Sequence, residues 1–306
     1  MPIARVALAQ PLLLGPSLRS GQAFRWKPLP DRDAFAGVAE GRAWTLARED
    51  GALRVEAEPS MAPAEAAAWA RRYFRLDDPY DAIAARLARE AALAPAVEAW
   101  RGLRLLQTDP WECLLGFVTS IHDSVAAIET RMGRLCRHFG APLRTTLPGF
   151  PRGWAYATPS PERIARAHEA RLRSAAGMGF RARYLRGAAR MVVEGDVPLA
   201  DLPRMRYEEA HEVLLQLPGV GDKVADCVQL YSLGHLESFP VDRWIHRAML
   251  ARYFADAPRT NAREITALAH QRWGRDAGYA QQFLFHDARV AGSPAAARDR
   301  AARAAA

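Results

Sequence analysis

Short runs of alternating apolar and polar residues, separated by turn-forming residues, occupy the first part of the chain. Two such runs, Ala43–Ala47 and Leu53–Ala57, are joined by Arg-Glu-Asp-Gly-Ala and predict neighbouring strands of an antiparallel sheet. Pro11 interrupts the apolar N-terminal segment, which favours a strand over a signal peptide. Residues 62–97 become alanine-rich with a helical apolar period.

From residue 98 onward the pattern is helical and is broken by proline and glycine. Asp109 followed by Pro110 predicts a capped helix start. The segment Leu143–Pro161 is rich in proline and glycine and predicts a long loop. The fold class is therefore α+β with helices dominating: an N-terminal antiparallel sheet domain with helices at 1–97, a helical region at 98–291 and a flexible tail at 292–306.

Residues 207–231 carry the most informative pattern, two helical apolar faces separated by Leu217-Pro-Gly-Val-Gly221. Pro218 ends the first helix, and Asp222 adds an acidic residue to the first turn of the second. The segment thus predicts a helix-hairpin-helix. Its backbone at Gly219, Val220 and Gly221 could approach a DNA phosphate closely, at the positive end of a helix. An ordinary tight turn between core helices is the alternative.

Composition narrows the class of protein. The formal net charge is +8, which suits a polyanion such as DNA without requiring one. Cys113, Cys136 and Cys227 are scattered, which excludes a disulfide framework and leaves too few thiolates for a four-cysteine iron–sulfur cluster. No apolar stretch reaches the length of a membrane span, so no membrane partner is expected.

Lysine occurs only at Lys27 and Lys223, whereas lysine and arginine together number 42. Lysine can lose its proton and act as a nucleophile, which arginine cannot. Lys223 lies in the first turn of the second hairpin helix, where a plain phosphate contact is the alternative. Asp242 follows Pro-Val and precedes a helical run, so it is expected to cap that helix, a role compatible with catalysis.

These motifs resemble the 8-oxoguanine DNA glycosylase family of the helix-hairpin-helix (HhH-GPD) DNA glycosylase superfamily. The resemblance rests on the hairpin followed by Pro-Val-Asp and on four further segments in order along most of the chain. These segments are Ser20-Gly-Gln-Ala-Phe-Arg-Trp, Leu103-Arg-Leu-Leu-Gln-Thr-Asp-Pro-Trp-Glu-Cys-Leu, Gly177-Met-Gly-Phe-Arg-Ala-Arg-Tyr and Gly278-Tyr-Ala-Gln-Gln-Phe-Leu-Phe.

The resemblance implies a bifunctional enzyme that flips 8-oxoguanine out of duplex DNA, excises it through a lysine Schiff base and nicks the strand by β-elimination. Lys223 would be the nucleophile, and Asp242 would stabilise the charge that develops on the sugar. The implied base contacts are Gly21 through its carbonyl, Cys227, Gln281 and Phe285. The implied DNA contacts are Phe180 as the wedge, Arg181 and His122 at the orphaned cytosine, the hairpin residues and Arg243.

Three residues depart from the family pattern. His122 stands where an asparagine is usual, Ala127 replaces a second cytosine-reading arginine, and Trp244 replaces a phosphate-binding histidine. Arg243 or His246 could compensate for the missing histidine. These changes leave the Lys223 and Asp242 chemistry intact and bear on the preference for cytosine opposite the lesion.

Two alternatives stay open on sequence: a glycosylase for other damaged purines with relaxed opposite-base preference, and a non-catalytic helix-hairpin-helix DNA-binding protein. The expected partner is damaged double-stranded DNA, the expected state is a monomer, and no cofactor is expected beyond a monovalent ion in the hairpin. The expected location is the cytoplasm, with the nucleoid, for a bacterial protein and the nucleus or mitochondrion for a eukaryotic one.

Overall fold

The sheet and helices are described from a computed structural model that covers residues 3–30, 33–254, 257 and 259–292. Five antiparallel strands form one sheet in the order β1-β5-β4-β3-β2. The strands are β1 (Ala4–Ala7), β2 (Trp26–Pro28), β3 (Ala34–Ala39), β4 (Arg42–Glu49) and β5 (Ala52–Glu58). The predicted α+β fold class is confirmed, because helices make up most of the rest of the described chain.

The helices follow the strands along the chain, with one short helix before β2. They are α1 (Leu14–Arg19), α2 (Pro63–Tyr73), α3 (Tyr80–Leu87), α4 (Ala94–Ala99), α5 (Pro110–Thr119), α6 (Val125–Phe139), α7 (Pro161–Arg166), α8 (Glu169–Ser174), α9 (Arg181–Glu194), α10 (Tyr207–Leu215), α11 (Asp222–Val228), α12 (Arg243–Tyr253), α13 (Ala262–Trp273) and α14 (Ala277–Ala291).

Tight two-residue turns connect the central strands. Glu40-Gly41 and Asp50-Gly51 both have positive φ at each residue, the geometry that matches the twist of a hairpin. Trp44 of β4 stacks on Trp69 of α2 with the ring centroids 3.6 Å apart, so α2 closes one face of the sheet. The strands predicted around Ala43–Ala47 and Leu53–Ala57 are therefore confirmed.

The segment predicted as a long loop contains structure, and that prediction is wrong. Strands β6 (Pro142–Arg144) and β7 (Trp154–Tyr156) form a small hairpin. Leu147 and Ala155 are buried against the large sheet. Strands of three residues are too short to show a period of two, and packing on the sheet stabilises them instead.

The helical part encloses the largest hydrophobic core, which includes α5, α11 and the first turns of α14. The predicted start of α5 is confirmed, because the side chain of Asp109 accepts a hydrogen bond from the N–H of Glu112 at 2.9 Å. No helix in the described ranges has the length and apolar character needed to cross a membrane. Of the predicted tail, residues 293–306 lie outside the described residues.

Candidate active site

One position in the hairpin between α10 and α11 requires glycine. Gly219 has φ +81°, and a Cβ there would lie 2.7 Å from the ring of Tyr184 on α9. Gly221 is extended, with open space around the position of a Cβ. Gly219 is therefore fixed by packing between helices, whereas Gly221 leaves free surface at the start of α11.

A partly buried polar network joins α10 to the start of α11. The ring of His211 on α10 lies 3.3 Å from a carboxylate oxygen of Asp222 and 3.4 Å from one of Asp226, and the hydroxyl of Tyr207 donates to Asp226 at 2.8 Å. The hydrogen bond to Asp226 raises the pKa of His211. The two hairpin helices are thus tied together directly beside Lys223.

Lys223 is half-buried in the first turn of α11. Its amine donates a hydrogen bond to the Ser120 hydroxyl at 3.2 Å and lies 5.0 Å above the centre of the Phe117 ring. Ser120 caps the C-terminus of α5 and donates in turn to the Phe117 carbonyl at 2.6 Å. The end of α5 therefore holds the amine in place.

Asp242 caps α12, as predicted from the sequence. One carboxylate oxygen accepts hydrogen bonds from the N–H groups of Trp244 and Ile245, both at 2.9 Å. The second oxygen makes no hydrogen bond within the described part of the chain. A carboxylate held by two backbone groups is rigid and keeps one oxygen available for chemistry.

A cleft of about 1300 Å³ brings Lys223 and Asp242 together. Its walls come from the hairpin, the loop after α5, the start of α12, α14 and the segment before β2. Ten of the predicted site residues line it: Gly21, His122, Gly219, Gly221, Lys223, Cys227, Asp242, Arg243, Gln281 and Phe285. The volume exceeds that of most small-molecule sites, so it suits part of a larger ligand.

Cys227 lies one turn after Lys223 on α11 and is buried in the wall of the cleft. Burial raises the pKa of its thiol to about 12, the charge of Lys223 opposes that rise, and the charge of Asp242 adds to it. The thiol is thus a neutral, apolar contact surface, and both charges act on it at short range.

Gly21 is held at the cleft by its neighbour Gln22. The fully buried Gln22 amide donates to the Arg104 carbonyl at 2.9 Å and accepts from the N–H of Leu106 at 2.9 Å. Gly21 itself has φ +88°, and a Cβ there would approach the Phe285 ring to 3.2 Å. The backbone of Gly21 is therefore fixed against the rest of the cleft.

Helix α14 contributes one stripe of residues at four-residue spacing, Gln281, Phe285 and Arg289. Gln281 is buried, donates to the Pro240 carbonyl at 3.1 Å and accepts from the Tyr231 hydroxyl at 3.2 Å. Tyr231 lies in a π-helical turn that continues α11. The stripe thus presents an amide, an aromatic ring and a guanidinium to one side of the cleft.

Sequence comparisons assign this arrangement to a family. Residues 7–114 match the 8-oxoguanine DNA glycosylase N-terminal domain, and residues 116–275 match the HhH-GPD superfamily of base excision DNA repair proteins. The chain belongs to the 8-oxoguanine DNA glycosylase family. The predicted family is confirmed, and so is the prediction of a base excision DNA glycosylase with lyase activity.

Relatives agree in sequence and in structure. A probable N-glycosylase/DNA lyase of Methanothermobacter thermautotrophicus is 34% identical over 65% of this chain and 68% of its own length. The structure of MBOgg1 with a low-affinity DNA ligand has a TM-score of 0.87 at 30% identity, covering 95% of this chain and 96% of that one.

A Clostridium acetobutylicum 8-oxoguanine glycosylase/lyase, solved with double-stranded DNA carrying cytosine opposite 8-oxoguanine, has a TM-score of 0.85 at 27% identity. The alignment covers 93% of this chain and 94% of that one. Two solved relatives with bound DNA support DNA as the partner of this glycosylase.

In this glycosylase, Arg181 contacts the loop that follows α5. Arg181 is 5% exposed, and its guanidinium donates to the Ile121 carbonyl and pairs with Asp123 at 3.4 Å. The role of Arg181 at the orphaned cytosine stays a prediction; in this structure its Nε and Nη2 hold this loop. The physical reason is Asp123, a carboxylate that draws the guanidinium inward.

His122 is exposed at the cleft, with φ +51°. This left-handed conformation is one that asparagine adopts more readily than most residues, which gives a backbone reason for the usual asparagine at this position. The histidine keeps the loop conformation but offers a different hydrogen-bonding edge.

Phe180 and Val220 lie outside the lining of the cleft. Phe180 is 41% exposed beside Tyr184, so it is a surface ring and not a core residue. The Val220 side chain is 8% exposed in the core, and its N–H donates to the Leu217 carbonyl at 3.0 Å. Its N–H is thus occupied within the hairpin, and its contact with DNA stays a prediction.

Trp244 and Arg243 form one edge of the cleft, with the Arg243 guanidinium 5.6 Å from the Trp244 ring centre. Sequence reasoning missed Ser120, Gln22 and Arg289. Gln22 lies within the Ser20-Gly-Gln-Ala-Phe-Arg-Trp segment and Ser120 lies two residues before His122, but neither was assigned a role. Arg289 could have been found from its position four residues after Phe285 on the helix.

Proposed function

We propose that this glycosylase excises 8-oxoguanine from duplex DNA through a Schiff base on Lys223 and then nicks the strand. The observation that carries the proposal is one cleft lined by a half-buried lysine, a rigid carboxylate and an aromatic ring beside a fixed glycine backbone. A non-catalytic DNA-binding protein needs neither the lysine nor the carboxylate in that cleft.

The reaction uses the amine as nucleophile. The nitrogen of Lys223 bonds to C1′ of the sugar, the C1′–N9 bond breaks, and its electron pair leaves with the base, which takes up a proton. The C1′–O4′ bond then breaks, its electron pair leaves with the ring oxygen, which takes up the proton lost by the lysine nitrogen, and an iminium forms. The iminium makes the 2′ proton acidic, and its removal expels the 3′ phosphate by β-elimination. The free carboxylate oxygen of Asp242 stabilises the positive charge on the sugar.

Base recognition follows from the walls of the cleft. Phe285 offers a face on which a flipped purine can stack, and the Gln281 amide can bond its Watson–Crick edge. The carbonyl of Gly21 accepts the N7–H that 8-oxoguanine has and guanine lacks. Guanine would set a lone pair against that carbonyl, which is an effective means of rejection.

A second feature of the proposal is weak discrimination among the bases that stand opposite the lesion. Arg181 is consumed by Ile121 and Asp123, and Ala127 has only a methyl group where the family pattern has an arginine. One donor for the orphaned cytosine is thus missing, and a second is partly engaged within the protein. We expect excision to depend little on the opposite base, and we expect His122→Asn to sharpen the preference for cytosine.

Borohydride trapping tests the lysine mechanism. A duplex with 8-oxoguanine opposite each of the four bases is incubated with wild type, Lys223→Gln and Lys27→Gln in the presence of borohydride. Lys27 is an ideal control, since it is the other lysine of the chain and lies exposed on β2. We expect a covalent adduct with wild type and Lys27→Gln and none with Lys223→Gln.

Two results would overturn the proposal. Base release without a trapped adduct would mean that water, not Lys223, attacks the sugar. Tight binding of the duplex without base release would leave a DNA-binding protein only. Efficient excision of other damaged purines in preference to 8-oxoguanine would instead mean that one of those purines is the preferred substrate.

The protein is proposed to act as a monomer on damaged double-stranded DNA, in whichever compartment holds the genome. Gel filtration with and without duplex would check the oligomeric state. The monovalent ion expected in the hairpin stays a prediction.

A further inference from the structure

Arg289 places a buried guanidinium in the wall of the cleft with no protein acceptor for one of its nitrogens. Nη1 is fully buried and makes no hydrogen bond within the described residues. A buried charged donor without a partner is costly, so such groups normally find an acceptor. The acceptor therefore lies outside the described residues, and a ligand bound in the cleft is in a position to supply it.

The position of the guanidinium indicates what that acceptor is. Its carbon lies 5.4 Å from the centre of the Phe285 ring. A methyl group added at Gly21 would lie 3.4 Å from Nη1. The donor is thus between the ring on which the base would stack and the backbone that would meet N7 of the base.

A phosphate is a poorer candidate for this acceptor than a base. DNA phosphates stay at the solvent-exposed rim of a site, where Gly221 and Arg243 lie. Nη1 of Arg289 lies beside Gly21 and Phe285 and away from this rim, so its acceptor must reach into the cleft as far as these two residues. A flipped nucleobase reaches that depth, whereas the phosphates stay outside.

The negative charges of two carboxylates act on the guanidinium, but neither carboxylate accepts a hydrogen bond from it within the described residues. Burial lowers the pKa of Arg289, while the negative charges of Glu129 and Asp242 oppose that change. Arg289 forms no ion pair with either carboxylate in the described structure. The guanidinium is held charged and ready to donate.

We propose that Arg289 is a specificity-determining residue that donates a hydrogen bond to a carbonyl oxygen beside N7 of the flipped purine. The inference rests on the proposed function and deepens it. When the C1′–N9 bond breaks, the electron pair spreads over the purine onto its carbonyl oxygens. The guanidinium stabilises that charge, so its effect falls on base release and not on β-elimination.

Single-turnover kinetics separate these two steps. Arg289→Leu, Arg289→Lys and Arg19→Leu are compared with wild type on two duplexes, one with 8-oxoguanine and one with a preformed abasic site, both opposite cytosine. Arg19 is the matched control, because it is exposed and its charge acts on Arg289. For Arg289→Leu we expect base release to fall roughly 10- to 100-fold, with strand nicking at the abasic site within about twofold of wild type.

The variants give distinct outcomes. Arg289→Lys should recover part of the loss, since it keeps the charge without the planar fork, and Arg19→Leu should match wild type. Equal loss of base release and nicking, together with a lower Tm, would mean a structural role and overturn the proposal. Unchanged base release in Arg289→Leu would also overturn it.

A binding measurement checks the same contact without chemistry. In a Lys223→Gln background, Arg289→Leu should weaken the binding of the 8-oxoguanine duplex and leave the affinity for a duplex with a tetrahydrofuran abasic analogue unchanged. Equal weakening for both duplexes would place the contact on the DNA backbone and refute the base assignment. If wild type itself releases no base, the proposed function fails first, and that result is independent of Arg289.

Discussion

Asp242 is expected to carry two roles that one pair of variants can separate. Its Oδ1 oxygen accepts the N–H groups of Trp244 and Ile245, each at 2.9 Å, and so caps α12. Its negative charge is proposed to stabilise the sugar cation. Asp242→Asn keeps an acceptor oxygen for the cap and removes the charge, whereas Asp242→Ala removes both.

The structure sets the size of each effect. Loss of a capping side chain costs about 1–2 kcal/mol of stability, and loss of the charge at a helix start costs about 0.3–1 kcal/mol. The free energy of unfolding should therefore be lower than that of wild type by about 1–3 kcal/mol in Asp242→Ala. In Asp242→Asn it should be lower by less than about 1 kcal/mol. Removal of one preorganised electrostatic contact slows a reaction ~10²–10³-fold, which both variants should show.

Urea denaturation gives the free energy of unfolding, and single-turnover release of 8-oxoguanine gives the rate. We expect the rate of base release to fall equally in the two variants, and the free energy of unfolding to fall mainly in Asp242→Ala. Base release by Asp242→Asn within about threefold of wild type would refute the role of the charge. Equal stability of the two variants would refute the cap.

Three further predictions concern residues around the site. Gln22→Leu leaves the buried N–H of Leu106 without an acceptor and should lower the free energy of unfolding by about 2–4 kcal/mol. Because Gly21 loses its support in this variant, base release should fall more than abasic-site nicking. Gly219→Ala should lower stability by about 1–3 kcal/mol in thermal unfolding because of its positive φ and the contact with Tyr184. Burial raises the pKa of Glu112 from 4.5 to about 7, so this residue's contribution to stability is present below pH 4.5 and lost as pH rises to about 7. Glu112→Gln should flatten that pH dependence, by up to about 3 kcal/mol in urea titrations at pH 4.5 and 8.

Each of these has its own control and contrary result. Gly221→Ala is the control for Gly219→Ala, because its Cβ would meet open space, and equal destabilisation of the two would contradict the packing argument. A Gln22→Leu variant that loses nicking and base release in parallel would show a general folding defect. A Glu112→Gln variant with the pH profile of wild type would show that another group titrates.

Local signals explain why the positions of Lys223 and Asp242 could be predicted from sequence. Lys223 follows a glycine-ended hairpin, and Asp242 follows Pro-Val at a helix start, so both positions are defined by their immediate neighbours. The stripe on α14 obeys a four-residue spacing in the same way. The β4–β5 hairpin was predictable because β5 alternates between buried and less buried positions and the turn before it contains Asp-Gly.

The sequence by itself determined which groups the proposed chemistry would use, because the lysine, the capping aspartate and the hairpin are each specified within a few residues. Tertiary structure alone decided which donors remain available. Arg181 and Arg289 look alike in the sequence, but one is satisfied by Ile121 and Asp123 and the other keeps a buried nitrogen unpaired in the cleft. The physical reason is that a side chain's free hydrogen-bonding capacity depends on long-range neighbours, and those are set by how α5, α9 and α14 pack together.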